Sequence, residues 1–180
     1  HYLRVSVAAA GTPSSSDFNF ISQPIEGYMV ADFDFGKATA KTITLSAWIR
    51  TSITGTFGGS IRNNGNTRSY PFTFTISAAN TWEYETIVIP GDTSGTWLTN
   101  NGIGMQVGFG LGVGSTFSGT AGAWAGSNFN SATGAVSVAA TSGATFYITG
   151  VQLEVGTAAT PFERRQYGQE LALCQRYYIL

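Results

Sequence analysis

Few side chains in this sequence have the types and spacing that catalysis needs. The 180 residues include one histidine, His1, and one cysteine, Cys174. Because the only histidine stands at the extreme N-terminus of the sequence, a nucleophile–histidine–acid triad and a zinc site formed with Cys174 are both disfavoured, so we expect no enzyme and no catalytic residue. Cys174 lies close to Leu171, Leu173 and Tyr177 in the sequence, which predicts a buried and unreactive thiol.

Paired carboxylates leave one enzymatic alternative, the hydrolysis of a glycan. Such an enzyme needs two carboxyl groups about 5–10 Å apart. The candidates are Glu83 with Glu85, on one face of a predicted strand, and Asp32 with Asp34. Carboxylates that face solvent on a strand and a turn produce the same pattern, and we favour this second interpretation.

A structural calcium ion is a further alternative, because binding modules of the jelly-roll type often hold one. Asp17, Asn19 and Asp92 have the oxygen atoms that calcium takes as ligands. They form no compact acidic loop, so we predict no cofactor and assign no metal ligand.

Aromatic side chains beside planar polar groups indicate sugar binding instead. Sugar rings present apolar C–H faces that stack on Trp and Tyr, while arginine and amide groups bind the hydroxyls. Strand alternation places Trp48 and Arg50 on the face opposite the core, unless a long loop or a neighbouring subunit buries Trp48. The predicted ligand-binding residues are Trp48, Arg50, Arg62, Thr73, Thr75 and Gln106.

The other tryptophans have different predicted positions. Trp82 is in phase with Tyr84 and is expected in the core. Trp97 and Trp124 lie in predicted loops, where they either cover the ends of the fold or meet a ligand.

The elements that must position these residues are predicted to be strands. Apolar residues recur at every second position, for example in residues 42–52 and 68–76, which is typical of strands with one buried face. The Asn-Gly pair in residues 63–66 favours a tight hairpin turn. The pattern predicts an all-β fold, an antiparallel β-sandwich of the jelly-roll type over residues 1–162, with a short C-terminal helix in residues 163–180 that packs on it or on a neighbour.

One predicted strand carries glycine on a whole face. In residues 103–114 the apolar side chains alternate with polar or absent ones, and Gly108, Gly110 and Gly112 leave that face bare. Either another backbone approaches closely, or the face forms a groove or a subunit interface. The connection that follows, residues 115–143, is long, contains a predicted short strand at 135–139, and is expected to be functional.

The charge balance argues against nucleic acid and membranes as partners. Nine Lys and Arg nearly balance ten Asp and Glu, giving a formal charge of −1, and there is no polybasic cluster. No apolar run reaches the roughly 18 residues of a membrane span.

Residues 146–178 contain three motifs in a fixed order: GVQLEVG at 150–156, TPFERR at 160–165 and ELALCQRYY at 170–178. Together they resemble the C-terminal domain of bacteriophage tail-fibre and tailspike proteins. The motifs TLSAWIR (44–50), NTWE (80–83) and PGDTSGTW (90–97) also resemble that family, so the resemblance covers most of residues 25–178.

The resemblance implies a domain similar to jelly-roll carbohydrate-binding modules. Such a domain would recognise a host-surface glycan or polysaccharide at the tip of a homotrimeric fibre, as an extracellular part of the virion. The alternative, from a different functional class, is a structural domain that mediates trimerisation or fibre assembly and binds no glycan.

Overall fold

The computed structural model describes residues 1–164 and 166–175, and nearly all of the regular structure there is β-strand. The strands are β1 (Leu3–Ser6), β2 (Phe18–Glu26), β3 (Ile43–Thr51), β4 (Gly55–Arg62), β5 (Ser69–Ile76), β6 (Glu83–Ile89), β7 (Ile103–Val113), β8 (Ser118–Gly119), β9 (Ser131–Ala132) and β10 (Thr145–Val155). Two short helices, α1 (Gly27–Val30) and α2 (Tyr167–Gln175), are accompanied by 3-10 turns at Ala31–Phe33 and Ser115–Phe117.

Eight of the strands form two antiparallel four-stranded sheets. Sheet A has the order β1-β10-β3-β6, and sheet B has the order β2-β7-β4-β5. With the two-residue strands β8 and β9 left aside, β10 is the eighth strand, and this order is that of a jelly roll built from two Greek keys. The predicted fold class, an antiparallel β-sandwich with a short C-terminal helix, is confirmed.

The core lies between the two sheets and follows the alternation of the sequence. In β3 the inward residues Ile43, Leu45 and Ile49 are fully buried, and in β7 Met105 and Phe109 face them from sheet B. Burial of each such side chain stabilises the fold by about 1.5–3 kcal/mol. Because the inward positions alternate strictly, the remaining positions of β3 are held on the outer face of sheet A.

The hairpin between β4 and β5 forms as predicted, but its turn differs. The residue with a positive φ is Asn66, at 53°, rather than Gly65. Asn63 is buried, and its side-chain oxygen accepts hydrogen bonds from the backbone N–H groups of Thr67 and Arg68 at 2.9 and 3.1 Å. The asparagine side chain therefore organises a loop longer than the tight turn that the Asn-Gly pair predicts.

The glycine face of β7 is covered by the chain itself. A Cβ atom at Gly110 would lie 2.7 Å from Ser131 Oγ, and one at Gly112 would lie 2.9 Å from Ala139 Cβ. The backbone N–H of Ala139 donates to the carbonyl of Leu111 at 2.8 Å. Of the three predicted explanations, close approach of another backbone is the one found at these two glycines. The backbone that approaches belongs to the long connection. This connection contains the parallel pair β8 and β9, whereas the strand predicted at residues 135–139 does not form.

The last strand turns the chain back over sheet A. Gly150 has a φ of 58°, and the pairing of β10 with β3 shifts register between Thr149 and Gln152, as expected for a bulge. Residues 156–163, called here the fold-back segment, then return across the outer face. They are held there by hydrogen bonds from the backbone N–H and hydroxyl of Thr160 to the carboxylate of Glu154, at 2.9 and 2.7 Å.

Helix α2, as far as the structure describes it, touches little of the sandwich. The described residues of α2 are all exposed, including Cys174. The prediction of a buried thiol is wrong, because the described part of the helix does not dock on the sandwich. The predicted positions of Arg165 and of residues 176–180, with Tyr177 and Tyr178, lie outside the described residues, and the domain division at 162/163 stays a prediction. In the described part of the chain, none of the helices is long and apolar enough to span a membrane.

Candidate functional site

The outer face of sheet A carries a group of aromatic and arginine side chains near one end of its strands. We call this group the aromatic face. It consists of Tyr2, Arg4, Trp48, Arg50, Trp82, Tyr84 and Tyr147.

Strand register places these residues in two rows across the sheet. In one row Arg4 pairs with Tyr147 and Tyr147 pairs with Arg50, and Trp82 directly precedes β6 at the level of Arg50. In the next row Thr149 and Trp48 are paired, and Trp48 is paired with Tyr84. Neighbouring strands lie about 4.8 Å apart, so side chains in one row contact one another.

Trp48 and Tyr84 form the most exposed part of this surface away from the terminus. Their ring centroids lie 5.2 Å apart, and the two residues are 43% and 42% exposed. Two large neighbouring rings are rarely both exposed on the surface of a monomer. Covering them with a ligand or a partner would lower the free energy, because apolar area would be removed from water.

Tyr147 is the centre of the other row. The Cζ atoms of Arg4 and Arg50 lie 5.6 and 5.1 Å from its ring centroid, within the range of cation–π contacts. The ring of Tyr2 lies 5.4 Å from that of Tyr147 and 6.0 Å from that of Trp82. Arg50 is half-buried in this arrangement, and its Nε is shielded from solvent without a hydrogen-bond partner among the described residues.

The fold-back segment borders the aromatic face. Gly150 lies between Trp48 and Phe162, since a Cβ atom there would be 3.4 Å from Trp48 Cδ1 and 3.8 Å from Phe162 Cδ2. The hydroxyl of Thr44 donates to the carbonyl of Gly156 at 2.9 Å, and Thr44 and Ser46 on the outer face of β3 are buried. The rings of Trp48 and Tyr84 lie beyond this covered part of β3 and stay exposed.

The six predicted ligand-binding residues do not form one surface. Trp48 and Arg50 lie on sheet A, whereas Arg62, Thr73, Thr75 and Gln106 lie on the outer face of sheet B. The separation arises because β3 lies in sheet A whereas β4, β5 and β7 lie in sheet B, an assignment that strand phase alone does not reveal. A ligand-binding role for each of the six stays a prediction.

On sheet B, Arg62 is part of a buried network. Its guanidinium group donates to Asn128 at 2.9 Å, to Asn66 at 3.2 Å and, more weakly, to Gln106 at 3.4 Å, and it stacks over Phe20. Burial lowers the pKa of Arg62. These contacts fix the long connection to sheet B and leave little of the arginine accessible.

Thr73 and Thr75 are exposed on the same outer face of sheet B. The hydroxyl of Thr75 lies 3.1 Å from that of Thr56 on the neighbouring strand. Neither threonine lies near the aromatic face, which is on the other side of the sandwich.

The predicted carboxylate pair Glu83 and Glu85 points towards the sandwich edge, opposite to the aromatic face. Glu83 accepts hydrogen bonds from the backbone N–H groups of Ala78 and Ser77, and these lower its pKa. Burial raises the pKa of Glu85, and the charge of Glu83 adds to this effect. A lowered and a raised pKa in one pair is the pattern of an acid–base couple, but the oxygens of Glu83 are occupied in closing the turn after β5.

The other carboxylates have local structural partners. Asp34 receives the Lys37 Nζ at 2.7 Å, which lowers the pKa of Asp34. Asp92 accepts two 2.7 Å hydrogen bonds from Arg68, and Asp17 accepts one from the backbone N–H of Ser14.

The residues considered for calcium do not converge. Both oxygens of Asp92 bind Arg68, which precedes β5, whereas Asp17 precedes β2 and Asn19 pairs with Gly112 at the other end of sheet B. Within residues 1–164 and 166–175, no group of three His, Cys, Asp or Glu side chains is close enough to hold a metal ion. The predicted set does not fit a calcium site.

The remaining tryptophans agree with the prediction only in part. Trp82 faces outward and is half-exposed, so its predicted place in the core is wrong. Trp97 and Trp124 pack against each other and against Phe35, with centroids 4.9–5.6 Å apart, and Trp124 donates its Nε1–H to the carbonyl of Pro90. These two rings cover one end of the core.

Tyr2, Arg4, Tyr84 and Tyr147 were not among the predicted ligand-binding residues. Tyr147 and Thr149 alternate with the buried Phe146 and Ile148. This alternation is visible in the sequence and could have placed Tyr147 on an outer face. The sequence does not reveal that β1 and β3 are the neighbours of β10. This sheet order brings Arg4 and Arg50 to the ring of Tyr147.

Comparisons with known proteins add a likeness of fold. No protein-family model matches the chain, and no curated protein matches it. A solved structure described as "CBM4 structure and function" superposes with a TM-score of 0.47 and 14% sequence identity, over 86% of this chain and 71% of that one. At this level the likeness concerns the arrangement of strands and not what this chain binds.

Proposed function

We propose that this chain is a non-enzymatic module that binds a host-surface glycan or polysaccharide through the aromatic face. The observation that carries the proposal is the exposed pair Trp48 and Tyr84 beside the row of Arg4, Tyr147 and Arg50. Exposed rings stack on the C–H faces of sugars, and guanidinium groups bind hydroxyl and acidic oxygens.

Several features favour binding over catalysis. The aromatic face is one side of a sheet, and the carboxylate pair Glu83 and Glu85 is turned away from it. A glycan lying on this face would meet rings and arginines. A hydrolase would need both carboxyl groups beside the bound sugar.

We further propose that the module belongs to a phage tail fibre, as a homotrimer on the outside of the virion. The support for this context is the resemblance of the three motifs in residues 146–178. The first two of them, GVQLEVG and TPFERR, form the bulge at Gly150 and most of the fold-back segment, which borders Trp48. Three sites on one fibre would add avidity without any new contact.

The proposal is tested by a glycan array, followed by titration of each positive glycan. Trp48→Ala and Tyr84→Ala should each weaken binding by a factor of about 30, since truncation of an aromatic anchor costs on the order of 2 kcal/mol. Thr73→Ala and Thr75→Ala, on the opposite sheet, are the matched controls and should leave the affinity unchanged.

Three results would count against the proposal. Loss of binding in the threonine variants but not in the aromatic ones would move the site to sheet B. Absence of binding to every bacterial or polysaccharide glycan would leave the module without a glycan function. Release of reducing ends, lost in Glu85→Gln, would instead establish a hydrolase.

Helix α2 favours a second candidate, a structural domain for fibre assembly. Leu171 and Leu173 are 40% and 42% exposed, and Tyr167 is 79% exposed. A nine-residue helix is marginally stable alone, so a partner that covers it would stabilise it. Light scattering should then report about 57 kDa for a trimer of the 19.0 kDa chain, and a single 19 kDa species for the Leu171→Glu, Leu173→Glu variant. A wild-type monomer would exclude this candidate.

A further inference from the structure

Two arginines of the aromatic face lie against one ring and have no acidic partner in the described structure. The Cζ atoms of Arg4 and Arg50 lie within 5.6 Å of the Tyr147 centroid. The ion pairs of the described residues join Lys37 with Asp34 and Arg68 with Asp92. Two permanent positive charges therefore lie against a single ring of a protein whose formal charge is −1.

The position of Arg50 is costly without a ligand. Its Nε is shielded from solvent and has no hydrogen-bond partner among the described residues. A buried donor that lacks an acceptor has lost its hydration without replacement. An oxygen acceptor bound by the guanidinium group would lower the free energy of this side chain, and an anionic oxygen would also be attracted by the positive charges of Arg50 and Arg4.

The acids on this side of the protein do not supply that acceptor. Glu154 is on the outer face of sheet A, but its oxygens accept hydrogen bonds from Thr160 and from Gln152 Nε2. Glu163 lies in the fold-back segment, where its backbone N–H donates to Gln152 Oε1. Neither carboxylate lies within ion-pair distance of Arg4 or Arg50 in the part of the chain that the structure describes.

We infer that the aromatic face selects a sugar that carries a carboxylate, such as a uronic acid, held by Arg50 and Arg4 while the neighbouring rings cover its apolar face. The inference rests on the proposed glycan-binding function and names its ligand class. A planar carboxylate accepts two parallel hydrogen bonds from the guanidinium fork, which a neutral hydroxyl cannot do. Trp48 and Tyr84, one row away, are placed to stack on the adjoining sugar.

The test compares sugars that differ only in charge. Wild-type protein is titrated with an oligogalacturonate and with the same oligomer after its carboxyl groups have been reduced to alcohols. The parallel array carries further pairs of acidic, carboxyl-reduced and sulfated glycans. The acidic form of the bound glycan should bind at least about tenfold more tightly than its reduced form, since hydrogen bonds to a charged group exceed neutral ones by about that factor. This preference should shrink as salt is raised from 50 to 500 mM.

Variants separate the charge from the rings. Arg50→Gln and Arg4→Gln should abolish the preference for the acidic form, whereas Trp48→Ala should weaken the acidic and reduced forms by the same factor. Circular dichroism of each variant checks that the sandwich is intact.

The outcomes distinguish the inference from the function on which it rests. Equal binding of acidic and reduced glycans, lost in Trp48→Ala, would refute the inference and leave glycan binding in place. Binding of sulfated glycans alone would refute the inference that the recognised group is a carboxylate, but it would still support an anionic ligand. No binding to any glycan would refute both proposals.

Discussion

Replacement of Gly110 by alanine tests whether the long connection is packed on β7. The added Cβ would lie 2.7 Å from Ser131 Oγ and 2.9 Å from Ser131 Cβ. Carbon atoms in favourable contact are about 3.5–4.0 Å apart, so either Ser131 or β7 must move. Overpacking of this kind costs about 1–3 kcal/mol. For a chain of this length that corresponds to a lowering of Tm by about 2–4 °C per kcal/mol.

Gly108 provides a matched control on the same face of the same strand. A Cβ atom there would meet its nearest neighbours, the carbonyl of Ile21 and the ring of Phe20, at 3.6 Å. That is ordinary contact, so Gly108→Ala should be neutral or stabilise the fold by up to about 1 kcal/mol, because alanine loses less backbone entropy on folding. The intrinsic preference of alanine for a strand is the same at both positions. The difference between the free energies of unfolding of the two variants therefore measures the cost of the clash.

Urea denaturation followed by tryptophan fluorescence gives the two free energies of unfolding. A second variant, Gly110→Ala with Ser131→Gly, removes the atoms that clash and should recover about 1 kcal/mol of the loss. Equal stabilities for Gly108→Ala and Gly110→Ala would show that residues 131–139 do not cover this face in solution, and the face would then be free to form a groove or an interface.

Three further predictions concern charged groups. Asp92→Asn should destabilise the fold by about 3 kcal/mol, because Asp92 is 2% exposed and its loss leaves Arg68 without its partner; a change below about 1 kcal/mol in urea denaturation would contradict this. The pKa of Glu83 is lowered, so its charged form stabilises the folded state above the ordinary value of 4.5 and that contribution is lost as the pH falls. Glu83→Gln should therefore lower Tm at pH 7 and have no effect near pH 2. The pKa of Glu85 is raised, so Glu85→Gln should raise Tm at pH 7, with the gain absent below about pH 4.5. Thermal melts between pH 2 and 8 check both signs, and shifts of the same sign at pH 7 would refute the reasoning.

Much of the fold could be predicted because a strand with one buried face has an apolar residue at every second position of its sequence. Strands β3, β5, β7 and β10 each bury every second side chain, and the two-residue period identifies them. Strand β2 has no such pattern: Phe18 and Phe20 are separated by a bulge that shifts its register against β7, so the alternation is broken where it would be recognised. The bulge at Gly150 was predictable because glycine alone marks such a phase change at low cost.

The candidate site was predictable only in part, because it depends on which strands are neighbours. The alternation of β3 is enough to place Trp48 and Arg50 on an outer face. Strand β3 pairs with β10 and with β6, and these pairings bring in Tyr147 and Tyr84. The partners of Ile49 in the two strands, Ile148 and Glu83, are 99 and 34 residues further along the chain. The same dependence explains Trp82: its phase relation to Tyr84 was correct, but both side chains face outward.

The covered glycine face has a consequence for how this domain can change over time. Residues 131–139 are locked onto sheet B by close contacts that tolerate few side chains, so substitutions on that side act on stability. The exposed rings of sheet A lie outside the core, and we expect that they can be exchanged without unfolding the sandwich. Under the proposed function, substitutions on the aromatic face would change ligand preference, while the contacts that cover sheet B stay unchanged.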